Sequence, residues 1–200
     1  MNIEQLRTMG RVKKFDKGDF ICLEQEQGNT AYLLLQGRTE VVLRSFQDNT
    51  YKMTELRPGT VFGEMSLLED KPRNASVRAT EDDTLVLEME KDNFFEILQA
   101  DSEIAWNLMN MLLTRLERMM WNANCNNILR ASGYKKNVMY SRIKRLTKEQ
   151  FAQILQQDTN YAYQLLRFLS GALAEMNDEV LDFIEKVGLS TDDINDLWGA

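Results

Sequence analysis

The sequence predicts an α+β protein in which an antiparallel β-barrel or jelly roll is followed by a helical C-terminal region. Short segments rich in β-branched and aromatic residues fill positions 11–90, and each is apolar or alternates between apolar and polar residues. Clusters of glycine, proline, aspartate and asparagine separate these segments. After Lys91 the apolar residues recur every four positions instead, which is the spacing of an amphipathic helix.

Several segments have the composition of strands, and turn-forming sequences lie within or between them. The strand segments are residues 12–23, 30–45, 51–56, 75–79 and 84–90, and the turn signals are residues 16–19, 24–29, 36–38, 47–49 and 57–59. Short strands at even spacing are typical of closed antiparallel barrels and jelly rolls.

The helical part begins with an apolar stripe inside residues 91–125. Its members recur at i+4 and are Ile104, Leu108, Leu112, Leu116 and Met120. This spacing predicts an amphipathic helix of about five turns. Asparagines after residue 121 weaken the helix and Gly133 is expected to end the region, while residues 137–187 are expected to be helical again. The sequence Ser-Thr-Asp-Asp at 190–193 is typical of a cap and first turn of a short terminal helix.

The two helical parts resemble each other. Residues 94–119 align without gaps onto residues 151–176, and the matching pairs are Phe94/Phe151, Ile97/Ile154, Leu98/Leu155, Gln99/Gln156, Asp101/Asp158, Ala105/Ala162, Leu108/Leu165, Leu112/Leu169, Leu116/Leu173 and Met119/Met176. We interpret this as a helical element duplicated without its barrel; the alternative is that any two amphipathic helices match in part. The predicted domains are residues 1–125, and residues 126–200 with the duplicated helix at 151–187.

Composition excludes several classes of function. The chain has no histidine and two cysteines a hundred positions apart, which rules out Ser-His-Asp triads and argues against zinc sites of the usual kinds. The net charge of −7 argues against broad nucleic-acid binding. No run approaches about 18 apolar residues, so we expect no membrane span, and a reduced, cytoplasmic location is the default. We find no catalytic constellation and expect neither an enzyme nor a metal site.

Residues 62–79, FGEMSLLEDKPRNASVRA, carry the clearest chemical signal. Gly63 and Glu64 stand at the start of a predicted helical turn, and Arg73 follows nine residues after the carboxylate. Free amides at a helix start can hold an anion, the arginine can neutralise it, and the carboxylate can accept a hydrogen bond from a hydroxyl. An anion beside a sugar hydroxyl indicates a nucleotide, and the compact site favours a cyclic one. The alternative is that Arg73 and Glu64 pair with each other on a surface turn.

This segment resembles the phosphate-binding cassette of the cyclic-nucleotide-binding domain family. The residues that match the family pattern are Phe62, Gly63, Glu64, Met65, Ser66, Leu67, Pro72, Arg73, Ala75, Ser76, Val77 and Ala79, and upstream Lys17, Gly18, Asp19, Gly28, Tyr32, Gly37, Pro58 and Gly59 also fit. The resemblance covers about residues 11–120. It implies a jelly-roll barrel of the catabolite-activator type that binds cAMP or cGMP.

The resemblance assigns roles to individual residues. Arg73 is expected to bind the phosphate, and Glu64 is expected to accept a hydrogen bond from the ribose 2′-hydroxyl. Ser76 is expected to hydrogen-bond to the phosphate or to a guanine amino group. Asn74 departs from the alanine or serine that the family usually has. The residues expected at the ligand are Gly63, Glu64, Met65, Ser66, Arg73, Asn74, Ala75 and Ser76, and those expected in the pocket wall are Met53, Thr54 and Phe62.

The predicted function is a cyclic-nucleotide receptor whose C-terminal helices respond to the ligand and meet a protein partner. We expect a homodimer through the helix face of Ile104, Leu108, Leu112 and Leu116; the alternative is that this face packs against the chain's own barrel or second helix copy. The basic stretch 128–148 is interpreted as a connector facing the acidic stretch 174–196, so DNA binding is not expected. The alternative function is a transcription regulator of the catabolite-activator type with an atypical DNA-binding region.

Overall fold

A computed structural model describes residues 9–44, 50–125 and 138–187. The strands are β1 Arg11–Phe15, β2 Phe20–Cys22, β3 Thr30–Gln36, β4 Thr39–Arg44, β5 Thr50–Leu56, β6 Val61–Phe62, β7 Ser76–Ala79 and β8 Thr84–Glu90. The helices are α1 Glu64–Glu69, α2 Lys91–Ala100, α3 Ser102–Cys125, α4 Val138–Ile143, α5 Lys148–Gln157 and α6 Thr159–Val187.

The strands form two antiparallel four-stranded sheets. One sheet has the order β1-β8-β3-β6 and the other β2-β7-β4-β5. Eight strands divided in this way between two sheets make a jelly roll, in which chain neighbours alternate between the sheets except for the hairpin of β4 and β5. Antiparallel strands followed by helices confirm the predicted α+β fold class.

The core of the jelly roll lies between the two sheets. Both sheets contribute to it, with Ile21, Cys22, Tyr32, Leu34, Phe62, Val77 and Val86 buried together. Tyr32 and Leu34 lie on one face of β3, because successive residues of a strand point to opposite sides. Ile21 and Cys22 are adjacent in β2, whose register against β7 shifts between Phe20 and Cys22. Burial raises the pKa of the Cys22 thiol, which therefore stays protonated and packs as a small apolar group.

Helix α2 closes one side of the jelly roll and packs against β3 and β8. Its buried residues Phe94, Ile97 and Leu98 follow the i, i+3, i+4 pattern of a single helix face. The helix ends at Asp101, whose N–H donates to the Ile97 carbonyl at 2.9 Å. The Asp101 carboxylate accepts hydrogen bonds from the backbone of Glu103 and Ile104, so one residue ends α2 and caps α3.

Three helices occupy residues 138–187, within the region predicted to be helical over 137–187. Thr147 interrupts it first, because its hydroxyl accepts from the Gln150 N–H and the Gln150 side chain accepts from the Thr147 N–H. This capping box starts α5. Asp158 interrupts the region again and caps α6 by accepting from the Tyr161 N–H at 2.9 Å. Local side-chain hydrogen bonds therefore determine that the helical region is interrupted at Thr147 and at Asp158.

The apolar face predicted for a dimer is covered within the single chain. Leu108, Leu112 and Leu116 are buried, whereas Ile104 is half-buried. The structure thus has the alternative arrangement, in which this face packs inside its own chain. A homodimer through these leucines would require the chain's own helices to leave them.

Compact packing divides the chain into Met1–Ile104 and Ala105–Ala200. This division falls inside α3, while the predicted domain boundary at 125 coincides with the end of that helix and stays a prediction. The expected helix end at Gly133 and the cap at 190–193 lie outside the described residues. Within the described part of the chain, every helix is too short or too polar to cross a membrane.

Glu117 of α3 is the centre of a polar cluster whose effect on stability is expected to depend on pH. Its carboxylate accepts from the Lys144 ammonium at 2.6 Å and from the Tyr140 hydroxyl at 3.0 Å. The ammonium and then the hydroxyl hold the pKa of Glu117 below its usual value. The stabilisation is therefore complete above the unfolded pKa of about 4.3 and is lost as the pH falls through the lower folded pKa.

Glu117→Gln is expected to flatten this dependence, because glutamine keeps the shape but carries no charge. The measurement is the free energy of unfolding between pH 3 and pH 7 by urea denaturation, with the exposed Glu96→Gln as the matched control. Wild type and Glu96→Gln should lose stability more steeply than Glu117→Gln on acidification. Parallel curves for all three proteins would show that the cluster contributes nothing.

Candidate functional site

The segment 62–76 runs from the end of β6 through α1 to the start of β7. Gly63 precedes α1 with φ +70°, a left-handed conformation that glycine adopts without steric cost. Three residues of the first turn of α1, Glu64, Met65 and Ser66, are buried. Asp70, also in the left-handed conformation, ends this single short helix.

Arg73 returns from this segment into the interior and is only 5% exposed. Its Nη1 donates to the Gly63 carbonyl at 2.6 Å and its Nη2 to the Thr30 hydroxyl at 2.9 Å. The guanidinium also lies 5.5 Å from the centre of the Tyr32 ring, within reach of a cation–π interaction. Both hydrogen-bond acceptors are neutral oxygens, although a buried charge is most stable beside an opposite one.

Tyr32 supports the arginine from β3. Its ring stacks on Phe62 with centroids 5.1 Å apart, so Phe62 is buried behind the site as part of the core. The Tyr32 hydroxyl accepts from the Thr30 hydroxyl at 3.2 Å and donates to Glu88 at 3.4 Å. Burial raises the pKa of Tyr32, so the hydroxyl keeps the proton that it donates. Lys13 also pairs with Glu88, at 2.8 Å.

The loop before β3 is fastened to the same segment. The Gln25 N–H donates to the Arg73 carbonyl at 2.9 Å, and the Arg73 N–H donates to the Glu26 carbonyl at 2.8 Å. Gly28 continues the loop where a side chain does not fit. A Cβ on Gly28 would lie 2.5 Å from the Ser66 Cβ and 2.9 Å from the Arg73 Nε. The absence of a side chain therefore lets the loop, α1 and the arginine meet.

Glu64 is 2% exposed, and with Arg73 it places two opposite charges in the interior. The interpretation of these residues as a pair on a surface turn is wrong, because neither side chain is at the surface. An ionised carboxylate at this depth needs hydrogen-bond donors, and it offers acceptor oxygens only. This combination suits a ligand that has both a negative charge and a hydroxyl.

The other residues predicted at the site lie in three places. Asn74 and Ala75 are half-buried directly after Arg73, and Ser76 is buried at the start of β7. The Ser76 hydroxyl accepts from the Glu24 N–H at 2.9 Å, so it fastens the same loop as Arg73. Met53 and Thr54 lie in β5, at the edge of the second sheet, and are half-buried.

Reasoning from the sequence missed the contacts of Thr30 and Tyr32 with Arg73, although Tyr32 fitted the family pattern. The segment 30–36 reads as an ordinary strand, and its alternation does not show that two of its side chains reach an arginine forty residues later. The only signal was their spacing of two, which places both on one face of a strand. Gly28 fitted the family pattern, but its steric role required the structure.

The chain is similar to known proteins over its N-terminal part. Residues 12–101 match the family model described as "Cyclic nucleotide-binding domain". The chain is 31% identical over 94 residues to cGMP-dependent protein kinase 2 of Homo sapiens, covering 46% of this chain and 12% of that protein. It is 35% identical over 85 residues to the cAMP-dependent protein kinase regulatory subunit of Emericella nidulans, covering 42% of this chain and 20% of that protein.

A bacterial receptor and a solved structure extend the comparison. The chain is 29% identical over 102 residues to the cyclic AMP receptor protein of Thermus thermophilus, covering 51% of this chain and 47% of that protein. The crystal structure of the Thermus thermophilus catabolite activator protein superimposes with a TM-score of 0.55 at 21% identity, covering 93% of this chain and 83% of that chain, and shows similarity of fold. The chain thus spans less than half of these sequence relatives. Residues 12–101 form a domain of the cyclic nucleotide-binding family.

Proposed function

We propose that this chain is a receptor for cAMP or cGMP and acts as a binding protein rather than an enzyme. The observation that carries the proposal is the buried guanidinium of Arg73, whose two Nη hydrogen bonds end on the neutral oxygens of Gly63 and Thr30. A cyclic phosphate would supply a negatively charged partner for the guanidinium in place of these neutral oxygens. The names of two relatives, a regulatory subunit and a receptor protein, support a regulatory role.

The phosphate would be held by the planar fork of Arg73, which can donate two parallel hydrogen bonds to a phosphate. The backbone amides of Met65, Ser66 and Ala75 would add further donors, as the resemblance implies. A Cβ on Gly28 or Gly63 would lie 2.9 Å or 2.7 Å from a nitrogen of Arg73, so the two glycines let the arginine keep this position.

The ribose would be held by Glu64, whose carboxylate can accept the 2′-hydroxyl hydrogen bond. The base would lie against the wall that includes Met53 and Thr54. Ser76 would contribute at the phosphate or at a guanine amino group, and its hydroxyl proton is free for this while its oxygen accepts from Glu24. This serine is compatible with both cAMP and cGMP.

A comparison of two ligands tests the role of Glu64. Wild type is expected to bind 2′-deoxy-cAMP about tenfold or more weaker than cAMP, since a hydrogen bond to a charged group contributes about 1.5–3 kcal/mol. Glu64→Gln should bind cAMP weaker and should discriminate less between the two ligands. Isothermal calorimetry measures all four affinities. An unchanged ratio in Glu64→Gln would remove Glu64 from the ribose site.

The response would travel through the strands that carry the Arg73 network. Thr30 and Tyr32 belong to β3 and Glu88 belongs to β8, and α2 packs against both strands. When a phosphate replaces the Gly63 and Thr30 oxygens as partner of Arg73, β3 loses the hydrogen bond between Thr30 and Arg73. Asp101 joins α2 to α3, so a shift of α2 would move the start of the long helix. Ligand binding would thus change the balance between two helix arrangements.

A second candidate is a transcription regulator of the catabolite-activator type. Two observations favour it: the fold similarity to that protein extends over 93% of this chain, and Arg142, Lys144 and Arg145 are exposed around the end of α4. A gel-shift assay with duplex DNA at moderate salt tests it. Saturable binding that requires cAMP or cGMP would support this candidate, and the absence of a shift would reject it.

A further inference from the structure

The helical element of residues 91–125 recurs in residues 148–187 with the same local geometry. Helices α2 and α5 are each ten residues long, and each is followed by one aspartate and a long helix. The N–H of Asp101 donates to the Ile97 carbonyl at 2.9 Å, and that of Asp158 donates to the Ile154 carbonyl at 2.8 Å. Both aspartates then cap the long helix with Oδ1. The duplication therefore includes the aspartate that connects the short helix to the long one, Asp101 in the first copy and Asp158 in the second.

The same positions are buried in both copies. Residues of the first copy that are buried together with their counterparts are Phe94/Phe151, Leu98/Leu155, Ala105/Ala162, Leu108/Leu165, Met109/Leu166, Leu112/Leu169, Leu116/Leu173 and Met119/Met176. Each long helix thus has one apolar face, and both faces are covered in a single chain. Two copies of one surface are self-complementary in the way that the two halves of a symmetric dimer are.

The copies differ in what their short helices touch. The face of α2 that carries Phe94 packs against β3 and β8 of the jelly roll. The second copy has no barrel of its own, and Phe151 of α5 instead meets Trp106 of α3, with ring centroids 6.1 Å apart. Before α5 begins, Lys144 and Tyr140 donate hydrogen bonds to Glu117 of α3. The first long helix is thus contacted near its start by α5 of the second copy and further along by residues that precede α5.

We infer that the second copy, residues 148–187, is the partner of α3 within one chain and closes the apolar face of Leu108, Leu112 and Leu116 without a second subunit. The partner is a segment of this chain that carries the same surface as α3. This inference concerns the helices alone and does not depend on the ligand.

Chain connectivity favours this pairing over association of two chains. Residues 126–147 join α3 to α5, so the second copy is tethered close to the first. A short tether gives an effective concentration in the millimolar range, whereas two separate chains at micromolar concentration meet far less often. Bringing together two parts of one chain costs little extra for each added residue, because the entropy of closure grows only slowly with the length of the connection. A second chain would have to displace a partner that is already present.

Cross-linking of mixed isotopes tests the inference on the wild-type chain. Natural-abundance and ¹⁵N-labelled chains are unfolded together in urea, refolded, and treated with a carbodiimide, which joins Glu117 to Lys144 across their 2.6 Å contact. Mass spectrometry of the cross-linked peptides should find both halves from one isotope. Hybrid peptides at the statistical frequency would place α3 against another chain and overturn the inference.

Light scattering of substituted chains gives a second readout. Wild type is expected to have the mass of one chain, 23.3 kDa, at micromolar concentration. Leu112→Asp should unfold at lower temperature without changing the mass, and the exposed Thr114→Asp is the matched control. A wild-type dimer that Leu112→Asp converts to monomers would overturn the inference. A dimer that survives Leu112→Asp would lie on another surface and support it, and if Leu112→Asp does not fold, the cross-linking result decides.

Discussion

Replacing Arg73 by leucine is expected to weaken the binding of cAMP or cGMP by about 100-fold or more. Two hydrogen bonds from a charged group contribute about 1.5–3 kcal/mol each, and about 1.4 kcal/mol corresponds to a factor of ten. Leucine leaves Glu64 buried without the opposite charge of Arg73, so some loss of stability is also expected, and the affinities are compared only between folded proteins. Loss of affinity in a folded protein is thus the signature of a ligand-binding arginine.

The matched control for this substitution is Arg57→Leu. The Arg57 side chain is 76% exposed on the turn before β6, so its removal changes the net charge equally without touching the interior. Calorimetry should find wild-type affinity in Arg57→Leu and a far weaker one in Arg73→Leu. Far-ultraviolet circular dichroism verifies that both variants are folded. Equal affinities of the two variants would exclude Arg73 from the phosphate site.

Replacing Gly63 by alanine is expected to reduce both stability and affinity. The φ of +70° costs a residue with a Cβ about 1–2 kcal/mol. The added Cβ would also lie 2.7 Å from the Arg73 Nη1 and 3.2 Å from the Tyr32 Cδ2, so the guanidinium must move. We expect affinity for the cyclic nucleotide to fall about tenfold, which corresponds to about 1.4 kcal/mol.

Gly59→Ala separates the two causes. Gly59 has a similar φ of +89°, but a Cβ there would meet nothing within 4 Å. Urea denaturation should show that both variants lose stability, with the greater loss in Gly63→Ala, and calorimetry should show lower affinity in Gly63→Ala alone. If both variants lost the same stability and neither lost affinity, contact between Gly63 and Arg73 would have no role in binding.

The sequence was sufficient for features that depend on local pattern. Apolar residues at every second position predicted the strands, and apolar residues at every fourth position predicted α3. The sequence of residues 62–79 identified Glu64 and Arg73. It did not predict that both charges are buried, because burial depends on how β3 and the loop before it cover α1. The contacts of Thr30 and Tyr32 with Arg73 were missed for the same reason, since they form only through the pairing of distant strands.

The helical region shows the same limit. The shared residues of the two copies were visible in the sequence, and so was the apolar face of α3. This face could also pack against a second subunit, and a homodimer was the arrangement predicted from the sequence. Burial of Leu112 and Leu169 in one chain required the fold, because identical apolar faces suit a partner in either chain.

Binding of a cyclic nucleotide by Arg73 and its surroundings is tested most directly by calorimetric titration of the unmodified chain with cAMP and, separately, with cGMP. We expect saturable binding of at least one of them at one molecule per chain, with AMP and GMP much weaker because the compact site suits the cyclic phosphate. We also expect a higher unfolding temperature at saturation, since a ligand at 100 times its Kd stabilises the folded state by about 2.7 kcal/mol. If the folded chain bound neither cAMP nor cGMP, Arg73 and its surroundings would not form a cyclic-nucleotide site.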